Sequence, residues 1–351
     1  MTTISEVSQQ HPQAAHCDAL YEVRDDAVGL RAFIALHDLT HGPGYGGIRR
    51  RVFKSVREAV AEVVGLAEQM TLKTAFAGLP AGGAKAVILD TPQLAEAASR
   101  EALYEAFGRA VESLGGAYFA GPDVGTAEDE LAALRHTSRY VSTEDAHPSQ
   151  STAIGVLAAC REALSFLGLE VGGSEGDHDI VVAGVGTVGS RVAAGLAAMG
   201  GRLGVADLDE ARAHACAEAL GARLVAPADA LRAEALLLVP CGVAPIVTAA
   251  TLAGFRTRVI CGAANHQLEV DTLAHELAER GVLYVPDFAV NSGAVIEGVL
   301  RHTTPAGEDV AERVRTALLG IGPRIRAILE EAARLDITPL EAALSRIDLV
   351  R

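Results

Sequence analysis

Lysine and aromatic residues are scarce in this chain of 351 residues, which contains three lysines and no tryptophan. Aromatic residues make up only 4% of the sequence and hydrophobic residues 50%, so we expect a core of aliphatic side chains and alanine. Positive charge is also limited: the formal net charge is -15 at pH 7. Such a surface repels nucleic acid and anionic membranes, and we expect neither as a partner.

Paired cysteines and long hydrophobic runs are also missing. The five cysteines are scattered singly without metal-ligand spacing, which favours reduced thiols in a cytoplasmic protein and predicts no metal site. The most apolar later stretch, residues 241–255, is short and contains Pro245, so we do not interpret it as a membrane span. The first residues show neither the basic nor the apolar segment of an export signal. The length of the chain favours two domains.

Two of the three lysines, Lys73 and Lys85, lie in one glycine-rich stretch at residues 70–85. Unlike arginine, lysine readily loses its proton when it is buried or placed beside another cation. A solvated basic pair is the simpler interpretation, but the surrounding apolar and glycine residues count against it. The pair therefore predicts a site that uses lysine chemistry.

Strand-like and helix-like segments alternate along the chain, which is the pattern of layered α/β proteins. The first half contains a capping box at Ser55 and Glu58, which predicts the start of a helix that ends near Lys73. Lys85 is predicted at the leading edge of the strand that follows it. Asp123 precedes a further predicted helix, where a carboxylate could either favour the helix dipole or take part in chemistry. The other predicted segments of this half are strands at 31–36, 86–89 and 117–120, a turn at 42–47 and a helix from Gln93 to Leu114.

A different module begins after a predicted helix at 153–167 and a polar segment at 172–177. A strand at 180–183 runs into a glycine turn at 184–189, and Asp207 closes the next strand. Glycines in this context let a pyrophosphate approach a helix N-terminus, and the acid can accept hydrogen bonds from ribose hydroxyls. A purely structural turn is the alternative. The order of segments favours a Rossmann module that binds NAD, with later strands at 236–239, 259–262 and 282–285 ending at the same edge.

Taken together, the two modules resemble the amino-acid dehydrogenases that act on glutamate, leucine, valine and phenylalanine, with the strongest similarity to the branched-chain and aromatic branch. The matching segments follow the family order, at residues 42–47, 70–73, 82–85, 121–126, 184–189, 262–268 and 286–293. The resemblance implies an α/β protein with a substrate-binding and oligomerisation domain at 1–147 and a doubly wound NAD-binding domain at 148–325. C-terminal helices at 326–351 would pack back toward the first domain, and the protein would form homo-oligomers.

The resemblance also implies the chemistry, which is reversible oxidative deamination of an L-amino acid to a 2-oxo acid and ammonia. Lys85 would be the catalytic lysine, Asp123 its proton-handling partner, and Lys73 the residue that binds the substrate α-carboxylate. Two nearby lysines repel each other, which makes it easier for one to act as a base. The other substrate-binding positions would be Gly46, Gly47, Met70, Tyr45, Gly121, Val295 and Gly298. The cofactor-binding positions would be Gly184, Gly186, Thr187, Val188, Gly189, Asp207, Thr152, Cys241, Ala263, Asn265 and Asn291.

Several residues depart from the family pattern and bear on the substrate. Tyr45 stands where glutamate-specific relatives carry a lysine, so an apolar amino acid, branched or aromatic, is expected instead of glutamate. Gly298 and Glu297 replace residues of other types in relatives, which leaves the individual amino acid open. Two alternative functions remain at this point. One is another two-module Rossmann dehydrogenase, such as a methylene-tetrahydrofolate enzyme with a single catalytic lysine, and the other is a non-catalytic nicotinamide-binding regulator.

Overall fold

The computed structural model describes residues 1–91, 96–172, 179–242 and 244–348. The chain forms two compact units, one of Met1–Ala146 with Gly298–Pro305 and the other of His147–Glu297 with Ala306–Arg351. The start of the helix predicted from Gln93 and all but Gly172 of the polar segment predicted at 172–177 lie outside the described residues. No helix in the described ranges is both long enough and apolar enough to cross a membrane.

The first unit is built on a mixed β-sheet. Its strands are β1 (Thr3–Glu6), β2 (Ala19–Asp25), β3 (Leu30–Asp38), β4 (Gly44–Arg51), β5 (Gly82–Leu89) and β6 (Tyr118–Gly121), and its helices are α1 (Val56–Phe76), α2 (Ala97–Ser113) and α3 (Glu128–Arg135). Among the described residues the strand order is β1-β2-β3-β5-β4-β6. The strand β4 runs parallel to both β5 and β6, whereas β3 and β5 are antiparallel. This order puts β4 and β5 in the interior of the sheet.

Side-chain alternation gives this sheet two buried faces. Along β5, Ala86 and Ile88 pack with residues of α2 and α3, whereas Val87 packs with residues of α1. Lys85 therefore lies on the α1 face, because side chains two residues apart on a strand share a face. The helix α1 begins as predicted, since the Ser55 side chain accepts a hydrogen bond from the Glu58 N–H at 3.1 Å.

The second unit contains a parallel sheet. Its strands are β7 (Asp179–Ala183), β8 (Arg202–Ala206), β9 (Arg223–Leu224), β10 (Leu237–Pro240), β11 (Val259–Ile260) and β12 (Leu283–Tyr284). The helices after α3 are α4 (Pro148–Phe166), α5 (Gly189–Ala198), α6 (Glu210–Leu220), α7 (Pro227–Ala230), α8 (Leu273–Glu279), α9 (Asp287–Val290), α10 (Gly293–Thr303), α11 (Val310–Leu319), α12 (Ile321–Leu335) and α13 (Pro339–Asp348). Within the described part the strand order is β12-β11-β10-β7-β8-β9, with every pairing parallel. The order reverses between β7 and β10, as in a doubly wound nucleotide-binding sheet, which confirms the predicted fold class.

Some boundaries differ from those expected. The predicted turn at 42–47 is largely strand, because β4 begins at Gly44, and Lys85 lies within β5 instead of at its leading edge. Glycine suggested a turn, but a Cβ at Gly46 would lie 1.6 Å from the Ala84 carbonyl oxygen, so close strand packing accounts for it. The residues after 305 are grouped with the second unit, where α12 packs against α4.

Candidate active site

The first unit brings Lys85 and Asp123 into a direct ion pair. The Lys85 Nζ lies 2.7 Å from the Asp123 Oδ2, and the two side chains are only 9% and 16% exposed. Lys85 comes from the interior strand β5, and Asp123 follows the end of β6. Burial alone raises the pKa of the Asp123 carboxyl, but the positive charges of Lys85 and Arg49 outweigh burial and hold this pKa well below its usual range. Asp123 is therefore a carboxylate that faces a lysine in a largely water-free site.

Arg49, which the sequence did not single out, is the third charged residue of this cluster. Its Nε donates to the Asp123 Oδ2 at 3.1 Å and its Nη2 donates to the Oδ1 at 3.3 Å. On the far side, its Nη1 donates to the Glu62 Oε1 at 3.1 Å. Arg49 follows Gly47 by two residues on β4 and so shares its face. This side-chain alternation is the sequence signal that could indicate Arg49, but it identifies no contact until the neighbouring strand is known.

Two glycines allow the backbone to close around the ion pair. A Cβ at Gly47 would lie 2.4 Å from the Pro122 carbonyl oxygen and 2.9 Å from the Asp123 Cβ. A Cβ at Gly83 would lie 2.1 Å from the Thr71 backbone nitrogen, so α1 approaches β5 very closely there. Lys73 follows Thr71 by two residues on α1 and is 9% exposed. The two lysines of the sequence motif therefore lie on elements that pack directly against each other.

Tyr118 is a further residue that the sequence did not indicate. Its hydroxyl donates to the Gly46 carbonyl oxygen at 2.9 Å, in a fully buried position. This hydrogen bond holds the predicted substrate-binding backbone of β4. Met70, also predicted to bind substrate, is partly buried on α1 near its C-terminal end.

In the second unit, the glycine turn lies at the point where the strand order reverses. A Cβ at Gly184 would lie 2.5 Å from the Gly242 nitrogen, so the chain segments after β7 and β10 touch. Cys241 joins them, because its N–H donates to the Ala183 carbonyl oxygen at 2.7 Å. At Gly186, by contrast, a Cβ would meet no described atom within 4 Å. Space therefore remains at the turn that continues through Thr187 and Val188 to Gly189 at the start of α5, where a dinucleotide pyrophosphate fits.

Asp207 follows β8, as predicted, and its carboxylate is firmly held. It accepts hydrogen bonds from the Val185 N–H at 2.8 Å and from the Asp209 N–H at 2.9 Å. Arg212, which was not predicted, places its Nη1 3.4 Å from the Asp207 Oδ1. Burial raises the pKa of this carboxyl, but the two N–H groups and the Arg212 charge outweigh burial and lower it. An ionised acid next to the glycine turn fits the ribose end of a nicotinamide dinucleotide.

Three predicted cofactor residues form a polar cluster in the same unit. The Asn291 Nδ2 donates to the Ala263 carbonyl oxygen and to the Asn265 Oδ1, both at 3.0 Å. The buried Asn291 Oδ1 has no hydrogen-bond partner among the described residues. A buried acceptor of this kind fits a ligand that carries an amide donor, such as the nicotinamide carboxamide. Thr152 lies near the start of α4, where its hydroxyl donates to the Pro148 carbonyl oxygen at 2.8 Å.

Comparison with known proteins agrees with this geometry. Residues 13–140 match the profile of the Glu/Leu/Phe/Val dehydrogenase dimerisation domain. The chain is 33% identical over 308 residues to phenylalanine dehydrogenase from Bacillus thermotolerans, covering 84% of this chain and 77% of that protein. It is 32% identical over 334 residues to leucine dehydrogenase from Bacillus subtilis (strain 168), covering 92% and 88%. The chain belongs to the Glu/Leu/Phe/Val dehydrogenase family.

A solved member with related activity shares the fold over the full length. L-tryptophan dehydrogenase from Nostoc punctiforme superposes with a TM-score of 0.79 at 27% identity, covering 98% of each chain. The protein is thus an amino-acid dehydrogenase, an oxidoreductase that acts on CH–NH2 donors with a nicotinamide dinucleotide. This confirms the family and the reaction predicted from the sequence, in preference to the folate-enzyme and regulator alternatives.

Tyr45, where this chain departs from the pattern of glutamate-specific relatives, lies in a cluster of aromatic rings. The Tyr45 ring stacks on Phe119 with a centroid distance of 4.7 Å and an interplanar angle of 6°. His302 lies 4.6 Å from the same Phe119 ring. The Tyr45 hydroxyl is buried and finds no hydrogen-bond partner among the described residues, and burial raises its pKa. Of the predicted side-chain positions, Tyr45, Gly121 and Gly298 belong to the first unit and Val295 to the second.

Glu297, whose role the sequence left open, stabilises the start of α4. This carboxylate is 3% exposed and accepts hydrogen bonds from the His147 N–H at 3.0 Å and the Ser151 hydroxyl at 2.7 Å. A carboxylate next to the unpaired N–H groups of a helix start also interacts favourably with the helix dipole. Glu297 therefore holds the helical turn that carries Thr152.

Proposed function

We propose that the protein catalyses the reversible, NAD-dependent oxidative deamination of a large apolar L-amino acid. The observation that carries this proposal is the buried pair of Lys85 and Asp123, 2.7 Å apart and flanked by the close-packed glycines of β4. In the overall reaction, amino acid, NAD⁺ and water give 2-oxo acid, ammonia, NADH and a proton. The residue roles are those that the sequence predicts.

Each residue has a task that suits its chemistry. Lys73 pairs with the substrate α-carboxylate, while the backbone of Gly46 and Gly47 holds the substrate beside the ion pair. A bound nicotinamide would supply the hydride acceptor for the substrate Cα, and the substrate would then be an iminium. Lys85 in its neutral form takes a proton from water, and the resulting hydroxide attacks the iminium carbon. The proton that Lys85 gained passes through Asp123 to the amine, and the C–N bond breaks. Ammonia leaves as the hydroxyl gives its proton to Lys85 and becomes the 2-oxo group.

The environment of Tyr45 supports an apolar side chain in the substrate. Tyr45, Phe119, Gly121 and Gly298 carry no charge, and a Cβ at either glycine would meet no described atom within 4 Å. The ring nitrogens of nearby His302 lie 2.8 Å and 3.2 Å from the carbonyl oxygens of Gly298 and Val141, so one of these two carbonyls takes the single N–H of the neutral ring. A glutamate carboxylate would therefore meet no cationic partner among these residues, which disfavours its burial here. The names of the phenylalanine, leucine and tryptophan dehydrogenases accord with this choice.

NAD is the favoured cofactor because of Asp207. Its ionised carboxylate accepts hydrogen bonds from ribose hydroxyls and repels a 2′-phosphate. NADP is the second candidate, since the Arg212 guanidinium, 3.4 Å from the Asp207 carboxylate, could pair with that phosphate. A preference for NAD requires that Asp207 faces the ribose, whereas a preference for NADP requires that Arg212 faces it.

We also propose that the protein is a homo-oligomer in the cytoplasm. The matched profile is that of a dimerisation domain, and the scattered single cysteines suit a reducing compartment. Light scattering after size-exclusion chromatography measures the oligomeric state directly, and a monomeric mass would contradict the first part.

The three lysines of the chain allow a controlled test of the site. Lys85→Ala and Lys85→Arg are expected to lose turnover, measured as NADH absorbance with an amino-acid panel, because neither side chain can act as the base. Binding of NADH, followed by its fluorescence, should stay close to that of the unaltered protein. Lys73→Ala should mainly raise the KM for the amino acid. Exposed Lys54, changed to arginine, is the control and should behave as the unaltered enzyme. Near-normal turnover of Lys85→Arg would refute the assigned role.

A further inference from the structure

Arg49 contacts the Asp123 carboxylate that also pairs with Lys85. Its guanidinium forms a two-pronged contact with Asp123, at 3.1 Å to Oδ2 and 3.3 Å to Oδ1. The Oδ2 atom also lies 2.7 Å from the Lys85 Nζ, so it is shared between two cations. The Arg49 side chain is 20% exposed and the Asp123 side chain 16%, which leaves little water to replace this contact.

We infer that Arg49 is a positioning residue that fixes the plane of the Asp123 carboxylate, so that Oδ2 faces Lys85 throughout the reaction. A planar guanidinium that binds both oxygens restrains rotation of a carboxylate, whereas a single ammonium contact does not. This inference rests on the proposed function, in which Asp123 handles the proton of the departing amine. It adds to that function a residue that touches neither the substrate nor the nicotinamide in the proposed scheme.

The Arg49 guanidinium also contacts a second carboxylate, that of Glu62. Its Nη1 donates to the Glu62 Oε1 at 3.1 Å, and Glu62 is also bound by Arg51 on the same face of β4. The Glu62 carboxylate therefore holds the Arg49 nitrogen that does not contact Asp123. Because Glu62 lies on α1 and Arg49 on β4, two elements of the fold fix the guanidinium before any substrate binds. A preset donor of this kind needs no rearrangement during the reaction.

Removal of the two-pronged contact should therefore impair turnover more than binding. In Arg49→Gln the carboxylate is free to rotate, and kcat is expected to fall on the order of 10- to 100-fold, as for a small misplacement of a reacting group. The KM for the amino acid should change much less, because Lys73 is untouched. Arg49→Lys keeps the charge without the fork and should recover only part of kcat. Arg51→Gln is the matched control: it removes an arginine from the same strand face and the same Glu62, but none that contacts Asp123.

A double-mutant cycle with Asp123→Asn separates positioning from a general structural effect. If Arg49 acts through the Asp123 carboxylate, Arg49→Gln should lower kcat in the normal background and have little further effect beside Asp123→Asn. An equal loss in both backgrounds, or the same kcat for Arg49→Gln as for Arg51→Gln, would overturn the inference. Should Asp123→Asn have no measurable turnover, the split between kcat and KM in Arg49→Gln, against Arg51→Gln, decides the matter.

Folding is checked by thermal unfolding and NADH binding of every variant. If Arg49→Gln does not fold, Arg49→Lys takes its place, with Arg51→Lys as its control. The failure of this inference is distinct from that of the proposed function. Full turnover of Lys85→Ala and Asp123→Asn would remove the proposed function, whereas their inactivity together with a normal Arg49→Gln would remove only the role of Arg49.

Discussion

Gly83 offers a severe test of the packing that brings the two lysines together. In Gly83→Ala the new Cβ would lie 2.1 Å from the Thr71 nitrogen, 2.3 Å from the Thr71 Oγ1 and 2.5 Å from the Ala67 carbonyl oxygen. Two of these are backbone atoms of α1, so no side-chain rotation relieves the contact. To reach an ordinary separation, α1 must withdraw from β5 by about 1 Å or more. Lys73, two residues after Thr71, must move with it.

Both stability and substrate binding should respond. Overpacking of this kind costs about 1–3 kcal/mol. At roughly 2–4 °C per kcal/mol for a unit of this size, Tm should fall by about 2–12 °C in a calorimetric scan. The KM for the amino acid should rise, because Lys73 no longer lies where the α-carboxylate binds, while NADH binding in the other unit should be retained.

Gly65→Ala is the matched control, since it makes the same chemical change within α1 itself. A Cβ there would meet no described atom within 4 Å, and alanine is a better helix former than glycine by about 1 kcal/mol. This variant should therefore have a slightly raised Tm and unchanged kinetics. A Gly83→Ala protein with normal Tm and normal KM would show that α1 and β5 are not packed as described.

Three further substitutions test other parts of the site. Asp207→Ala should narrow the preference for NAD over NADP, measured as the ratio of the two kcat/KM values, because the charge that repels the 2′-phosphate is gone and Arg212 remains. Equal use of both cofactors by the unaltered enzyme would contradict the assignment of Asp207. Gly298→Val should shift the enzyme's substrate preference toward amino acids with smaller side chains, since the valine fills open space beside the Tyr45 ring cluster. An unchanged ranking of phenylalanine, leucine and valine would speak against a pocket there. Glu297→Ala should destabilise the protein by about 1–3 kcal/mol in thermal unfolding, because the His147 N–H and the Ser151 hydroxyl lose their acceptor. Glu297→Gln should recover part of this lost stability.

The sequence alone was sufficient wherever the signal is local. The capping box at Ser55 and Glu58 marks the start of α1, because the hydrogen bond that caps a helix joins residues three positions apart. The glycine turn at Gly184, with Asp207 closing the next strand, was likewise readable, since one strand–turn–helix–strand unit contains all its parts in order. The site roles of Lys73, Lys85 and Asp123 are predictions from residue type and from motif order along the chain.

Only the tertiary structure decided which distant residues meet. The Arg49–Asp123 contact joins positions 74 residues apart, and it exists because β4 pairs with both β5 and β6. Glu297 reaches Ser151 across 146 residues, which no local pattern indicates. The sequence predicts a turn at the glycines of β4, because local propensity cannot anticipate a neighbouring strand that leaves no room for a side chain. Periodicity and capping follow from bonds between near neighbours, whereas the plane of a catalytic carboxylate follows from strand order and register.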